Sequence, residues 1–129
     1  MQARKAVKAG IAFAKEFGAK VTTYHAVEVV PLYADGGFVP PSVLKQFEKQ
    51  AQKYLEEATK VAQAADVPCD SQISSPMTVY LGIIDTAKKK KCDVIFMASH
   101  GRGGLASLVL GSVTLKVLAH SKIPVMGFR

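Results

Sequence analysis

Val94-Ile95-Phe96-Met97, then Ala98-Ser99-His100-Gly101, nine further residues, and Gly111-Ser112-Val113 form the stretch that decides the fold of this 129-residue chain. An apolar run leads into a glycine-bearing loop, and the loop leads into an apolar-periodic segment that reaches His120. Strand, loop and helix in that order are the unit of a parallel α/β protein. The loop suits phosphate, because small residues let the backbone approach an anion and a helix N-terminus carries partial positive charge and unpaired N–H donors. Gly111-Ser112 stands where the helix begins, with Ser112 placed to cap it or to bond a phosphate oxygen. A plain strand-to-helix turn that contains glycines is the competing reading of the same residues.

Outward from this stretch the pattern alternates. Residues 2–17 read as a helix, with Val7, Ile11, Ala14 and Phe17 at helical spacing and Gly18 placed to stop it. Residues 21–30 read as a strand that becomes buried on both faces toward its end. Gly36-Gly37 and Pro40-Pro41 mark 31–41 as a long loop. Ser42 is placed to cap a helix whose inner stripe is Leu44, Phe47, Ala51, Tyr54, Leu55, Ala58, Val61 and Ala65, ended by Val67-Pro68. A short strand over 69–74 precedes Ser75-Pro76, which reads as N-cap and first helical position, with Val79, Ile83, Ile84 and Ala87 facing inward. Strand 93–99, helix 112–120 and strand 124–128 complete the order α-β-α-β-α-β-α-β. That order implies one domain over 1–129, with a parallel sheet covered by helices through right-handed crossovers.

Composition narrows the function. With 49% hydrophobic and 21% charged residues and no tryptophan, the chain reads as an ordinary globular protein. Cys69 and Cys92 give no disulfide framework, and Cys92 abuts a strand, where packing explains it. No signal segment and no apolar run near eighteen residues is present, so a cytoplasmic protein without a membrane span is expected. Net charge is +7, yet the one dense run, Lys88 to Lys91, ends a helix, where it complements the dipole. No aromatic residues interleave with it, so nucleic acid is not the expected partner. His25, His100 and His120 lie on separate elements without a carboxylate or cysteine at ligand spacing, so no metal set is expected. Ser99-His100 carry no elbow motif and no paired acids flank the loop, so no catalytic residue is assigned and slow hydrolysis of a bound phosphate ester is the most expected. Arg102, always charged, is a candidate phosphate partner, and a solvated loop arginine is its equal alternative.

Four segments resemble the universal stress protein family: Tyr24 to Glu28, Asp93 to Gly101, Gly111 to Thr114, and Ile123 to Met126. Its ATP-binding members share a pattern of glycine, two residues, glycine, nine residues, glycine, then serine or threonine, which falls here on Ala98, Gly101, Gly111 and Ser112. The resemblance implies an α/β three-layer sandwich with an open, mainly parallel sheet of the adenine nucleotide alpha-hydrolase type, in strand order 3-2-1-4-5. It implies a cytoplasmic regulator that binds ATP with Mg²⁺, or another adenine nucleotide, at loop 98–113. Gly101 would turn the backbone toward phosphate or ribose, Gly111, Ser112 and Val113 would present the helix N-terminus, and Met97 and Ala26 would line the adenine pocket. It also implies a homodimer through the C-terminal edge strand 124–128. The alternative is a homodimeric interaction protein of the same fold that binds no nucleotide.

The chain departs from the family twice. Ala98 replaces the leading glycine, which requires a negative φ there and a ligand that does not press against the methyl group. The family's opening strand, in the middle of the sheet and ending in Asp-Gly-Ser, is missing from the sequence. Burying about four apolar side chains there would contribute roughly 6–12 kcal/mol, so its place must be filled or closed. The expectation is a natural start upstream of Met1; the flanking strands closing together and a strand from another copy are the alternatives.

Overall fold

The computed structural model describes residues 2–27, 40–74, 78–98 and 111–128. The elements alternate as expected: α1 (Gln2–Phe17), β1 (Val21–Ala26), α2 (Pro41–Ala64), β2 (Cys69–Ser74), α3 (Val79–Lys89), β3 (Ile95–Ala98), α4 (Ser112–His120) and β4 (Val125–Phe128). The expected strand residues 28–30 and Ser99 lie outside the described residues.

Helix ends differ most from expectation. α2 starts at Pro41, with Pro40 as N-cap and no side-chain cap, so Ser42 is a helical residue and does not cap. Proline suits the first position, because its fixed φ is helical and its missing N–H would be unpaired anyway. α3 starts at Val79 with Thr78 as N-cap, three residues beyond Pro76. Three helices close with the same bond: Ala19 N donates to Ala14 O, Val67 N to Ala62 O and Cys92 N to Ala87 O, each at 2.9 Å. Each closure needs one left-handed residue. Gly18 supplies it at φ 64°, whereas Asp66 (57°) and Lys91 (56°) do so as non-glycines.

The core gathers where α1 and α2 meet the first strands. Ile11, Ala14, Ala62 and Val67 form one cluster, flanked by Val7, Val21, Ala65 and Cys69. Along α2, Ala51, Leu55, Ala58 and Ala62 are buried, while Val61, expected inside, sits at the margin. Phe17 is 69% exposed, so the inner stripe of α1 stops at Ala14. Phe17 packs at a tilt against Phe13 at 4.6 Å between centroids, and Phe13 in turn meets Phe96 at 5.4 Å.

The strands form two parallel pairs, β1–β2 and β3–β4, with Val21 opposite Cys69 and Ile95 opposite Val125. Side chains reinforce the first pair. Thr22 Oγ1 donates to Asp70 Oδ1 at 2.6 Å, Thr23 and Ser71 hydroxyls meet at 3.1 Å, and the Tyr24 hydroxyl meets that of Ser74. α1 packs on α2 and α3 on α4, with the strands between these layers. Among the described residues β1 and β3 neither pair nor lie at strand spacing, so the flanking strands do not close together. The order is β2-β1, a gap, then β3-β4, and α1 bridges it by packing on both β1 and β3.

Candidate functional site

Strand order reverses at this gap: the chain moves outward from β1 to β2 on one side and from β3 to β4 on the other. Open α/β sheets bind ligands at the carboxyl ends of strands beside such a reversal. Ala26 ends β1 there, half-buried, and Met97-Ala98 end β3, also half-buried.

One bond ties β3 to the next helix. Thr114 is 3% exposed, and its Oγ1 donates to the Ala98 carbonyl at 2.9 Å. The first turn of α4 is thereby fixed against the carboxyl end of β3, which brings Ala98 together with Gly111, Ser112 and Val113. Gly111 is the N-cap of α4 at φ −62° and ψ 150°, without a side-chain cap, and Ser112 is the first helical residue. The expectation that Ser112 caps the helix is therefore corrected, while its exposed side chain remains available to an oxygen ligand. Any residue can adopt the Gly111 backbone angles, so glycine serves here by leaving room. The first intrahelical bond runs from Leu115 N to Gly111 O at 3.0 Å, which leaves the amides of Ser112, Val113 and Thr114 without helical partners. No acidic residue stands in this turn, so donors and dipole favour an anion.

Ala98 is not among the non-glycine residues with positive φ, so its backbone accepts the methyl group in place of glycine. Gly101 and Arg102, also expected at the site, lie outside the described residues, as does His100. Thr114 is the site residue that sequence reasoning left without a role. A hydroxyl in the first turn after Gly-Ser is the signal available for it, since only the fold reveals its partner sixteen residues back.

Other groups stand apart. Burial pushes both the Cys69 and Cys92 thiols up, which keeps them protonated at neutral pH. Among the described residues no group of three histidine, cysteine or acidic side chains could hold a metal ion. A cleft of about 300 Å³ lies between β2 and α3, lined by Gln72, Ser74, Asp85 and Lys89 among others, and includes none of the expected site residues. No described helix is long and apolar enough to cross a membrane.

The whole chain, residues 1–129, matches the Universal stress protein family. The chain belongs to the universal stress protein family. Universal stress protein MJ0531 of Methanocaldococcus jannaschii is 32% identical over 125 residues, covering 95% of this chain and 72% of that protein. Among solved structures, that of MJ0577 superposes with a TM-score of 0.82 at 23% identity, over 97% of this chain and 85% of the other. A universal stress protein in complex with cAMP superposes with a TM-score of 0.71 at 23% identity, over 97% of this chain and 87% of the other. These likenesses establish the α/β fold of the family for this chain.

Proposed function

We propose that this universal stress protein is a cytoplasmic regulator, a single domain over 1–129, that binds an adenine nucleotide where β3 meets α4. The observation that carries the reading is the first turn of α4, whose unclaimed amides are held at the end of β3 by the Thr114–Ala98 bond. Phosphates would rest on the Gly111, Ser112 and Val113 turn, with Gly101 and Arg102 of the connecting loop closing over them. Met97 and Ala26, at the ends of β3 and β1, would line the adenine. The cAMP complex of a related protein supports the ligand class. ATP with Mg²⁺ is the ligand we favour, its metal carried on the phosphates. The first turn of α4 carries no acidic residue, and the activity proposed is binding, with hydrolysis slow at most. β4 gives the protein an outer edge suited to pairing with a second copy, and a homodimer through 124–128 is part of the proposal.

Calorimetric titration tests the reading. Heat on adding ATP with Mg²⁺, competed by cAMP, is expected. No heat at millimolar nucleotide would overturn it. Light scattering checks the dimer, where a monomer mass at micromolar protein counts against it.

A further inference from the structure

We infer that the cleft between β2 and α3 takes a free α-amino acid, its ammonium on Asp85 and its carboxylate on Lys89, at a site separate from the nucleotide turn. The cleft follows from the packing of α3, which buries Ile84 and Ala87 and lies chiefly over β1. The flank of β2 beside α3 is thereby left open, as a cavity of about 300 Å³. Side chains alternate along a strand, and the Thr22–Asp70, Tyr24–Ser74 and Lys90–Asp70 bonds place the even-numbered residues of β1 and β2 on this side. For β2 these are Asp70, Gln72 and Ser74, polar throughout. Asp70 is held by Thr22 and Lys90, and Ser74 by Tyr24. Gln72 stands half-buried between them, and among the described residues its side chain has no partner. Its carboxamide offers donors and an acceptor to the cleft, and leaving them unmade at partial burial is a cost that a ligand removes.

The opposite wall is charged. α3 lines the cleft with Asp85, Thr86 and Lys89. Asp85 and Lys89 are one helical turn apart with the acid first, the arrangement that readily closes into an ion pair. They form none: the described ion pairs are Arg4–Glu57 and Lys90–Asp70. The Thr86 hydroxyl has no partner among the described residues either. Lys90 also lines the cleft but is committed to Asp70, which leaves Lys89 as the cation open to a ligand. One open carboxylate and one open ammonium call for a ligand that carries both charges. A simple anion would be repelled by Asp85 and a simple cation by Lys89, whereas an α-amino acid satisfies the two at once. Gln72 and Thr86 supply neutral donors and acceptors, so an uncharged polar side chain suits the ligand best. The volume lies at the small end of ligand clefts, as a single amino acid requires.

Amide NMR shifts of the full chain, titrated with glutamine as probe, test the proposal. The amides of Gln72, Ser74, Gly82 and Thr86 should move and saturate at millimolar glutamine, while those of Ser112, Val113 and Thr114 stay still. N-acetylglutamine, which lacks the ammonium, and glutamine amide, which lacks the carboxylate, should each bind about tenfold more weakly. Asp85→Asn and Lys89→Gln, both at exposed positions, should each weaken glutamine by a similar factor. In Asp85→Asn, glutamine and N-acetylglutamine should then bind alike, a loss of discrimination that a merely structural role for Asp85 would not produce. Equal binding of N-acetylglutamine to the wild type would reveal an anion site on the lysines. Equal binding of sorbitol would reveal hydrogen bonding without charge recognition, and movement at Ser112 to Thr114 instead would place the ligand on the nucleotide turn. Any of these results, or no saturable movement at all, overturns the proposal.

Discussion

Replacing Gly111 by aspartate separates binding from folding, because the two should move in opposite directions. Gly111 is the N-cap of α4 at φ −62° and ψ 150°, angles that an aspartate cap adopts without strain. Its carboxylate would accept from the amides of Val113 or Thr114, which have no helical partner. Better capping is worth a few tenths of a kcal/mol over glycine, and the negative charge at the dipole about 0.3–1 kcal/mol more. The variant should therefore melt about 2–4 °C higher. The same carboxylate would stand where we place the phosphates. Two unit charges about 4 Å apart repel by about 4 kcal/mol at the dielectric of a protein surface, which is about a thousandfold in affinity. Calorimetry with ATP and Mg²⁺ should then show no heat from a protein more stable than the wild type. Binding within about tenfold of wild type would refute the placement of phosphate on this turn. Loss of binding together with lower stability would refute the capping argument.

Thr114→Val keeps the shape and removes the hydroxyl that holds the Ala98 carbonyl. It should lower stability by about 1–3 kcal/mol in urea unfolding, and a loss under about 0.5 kcal/mol would mean that the bond does not matter. Gly18→Ala adds a methyl group that meets nothing within 4 Å but forces a left-handed backbone, and should cost about 1 kcal/mol. Lys91→Gly relieves the same strain and should gain a similar amount, so equal signs for the two variants in thermal melts would contradict the backbone argument. The Thr22 hydroxyl, then Lys90 at 3.0 Å, hold the Asp70 carboxyl below its usual range. Its contribution is present above the unfolded value near about pH 3.9 and is lost as pH falls through the lower folded value. Asp70 is half-exposed, so this is under about 1 kcal/mol. Asp70→Asn should flatten the fall of the urea midpoint below about pH 4, and parallel wild-type and variant curves would refute the assignment.

The alternation of helix and strand was legible because α2 carries a long apolar stripe and β3 a continuous apolar run, both local patterns. Ala51, Leu55 and Ala58 are buried as their spacing requires, and the following turn buries Ala62 in place of Val61. Phe17 belonged to the same kind of pattern in α1 but stays in solvent, its ring packed along the same helix against Phe13. Cap residues misled for a different reason: Ser42 and Ser112 are able to cap, yet Pro40 and Gly111 hold those positions, while Ser75-Pro76, expected to open α3, lie outside the described residues. The side chain alone does not choose between neighbouring starts when proline or glycine fits the backbone equally well. Gly18 announced its helix end, whereas Asp66 and Lys91, in the same conformation, carry no such signal. At the site, Gly111-Ser112 was readable from the residues around it. The Thr114–Ala98 bond was not, because it joins two elements that only the fold brings together.

The hydroxyl pairs between β1 and β2 have a consequence for alignment. Sliding one strand past the other by two residues keeps every side chain on its own face, so burial alone opposes it weakly. Such a slip would set Gln72 against Thr22 and Ile73 against Thr23. Thr23, 7% exposed, would then face hydrocarbon with its hydroxyl unpaired, and Thr22 would lose the carboxylate it now donates to. The native offset is thus the one in which Thr22, Thr23 and Tyr24 all find oxygen partners, and the pair keeps that offset with no other strand paired to β1 among the described residues.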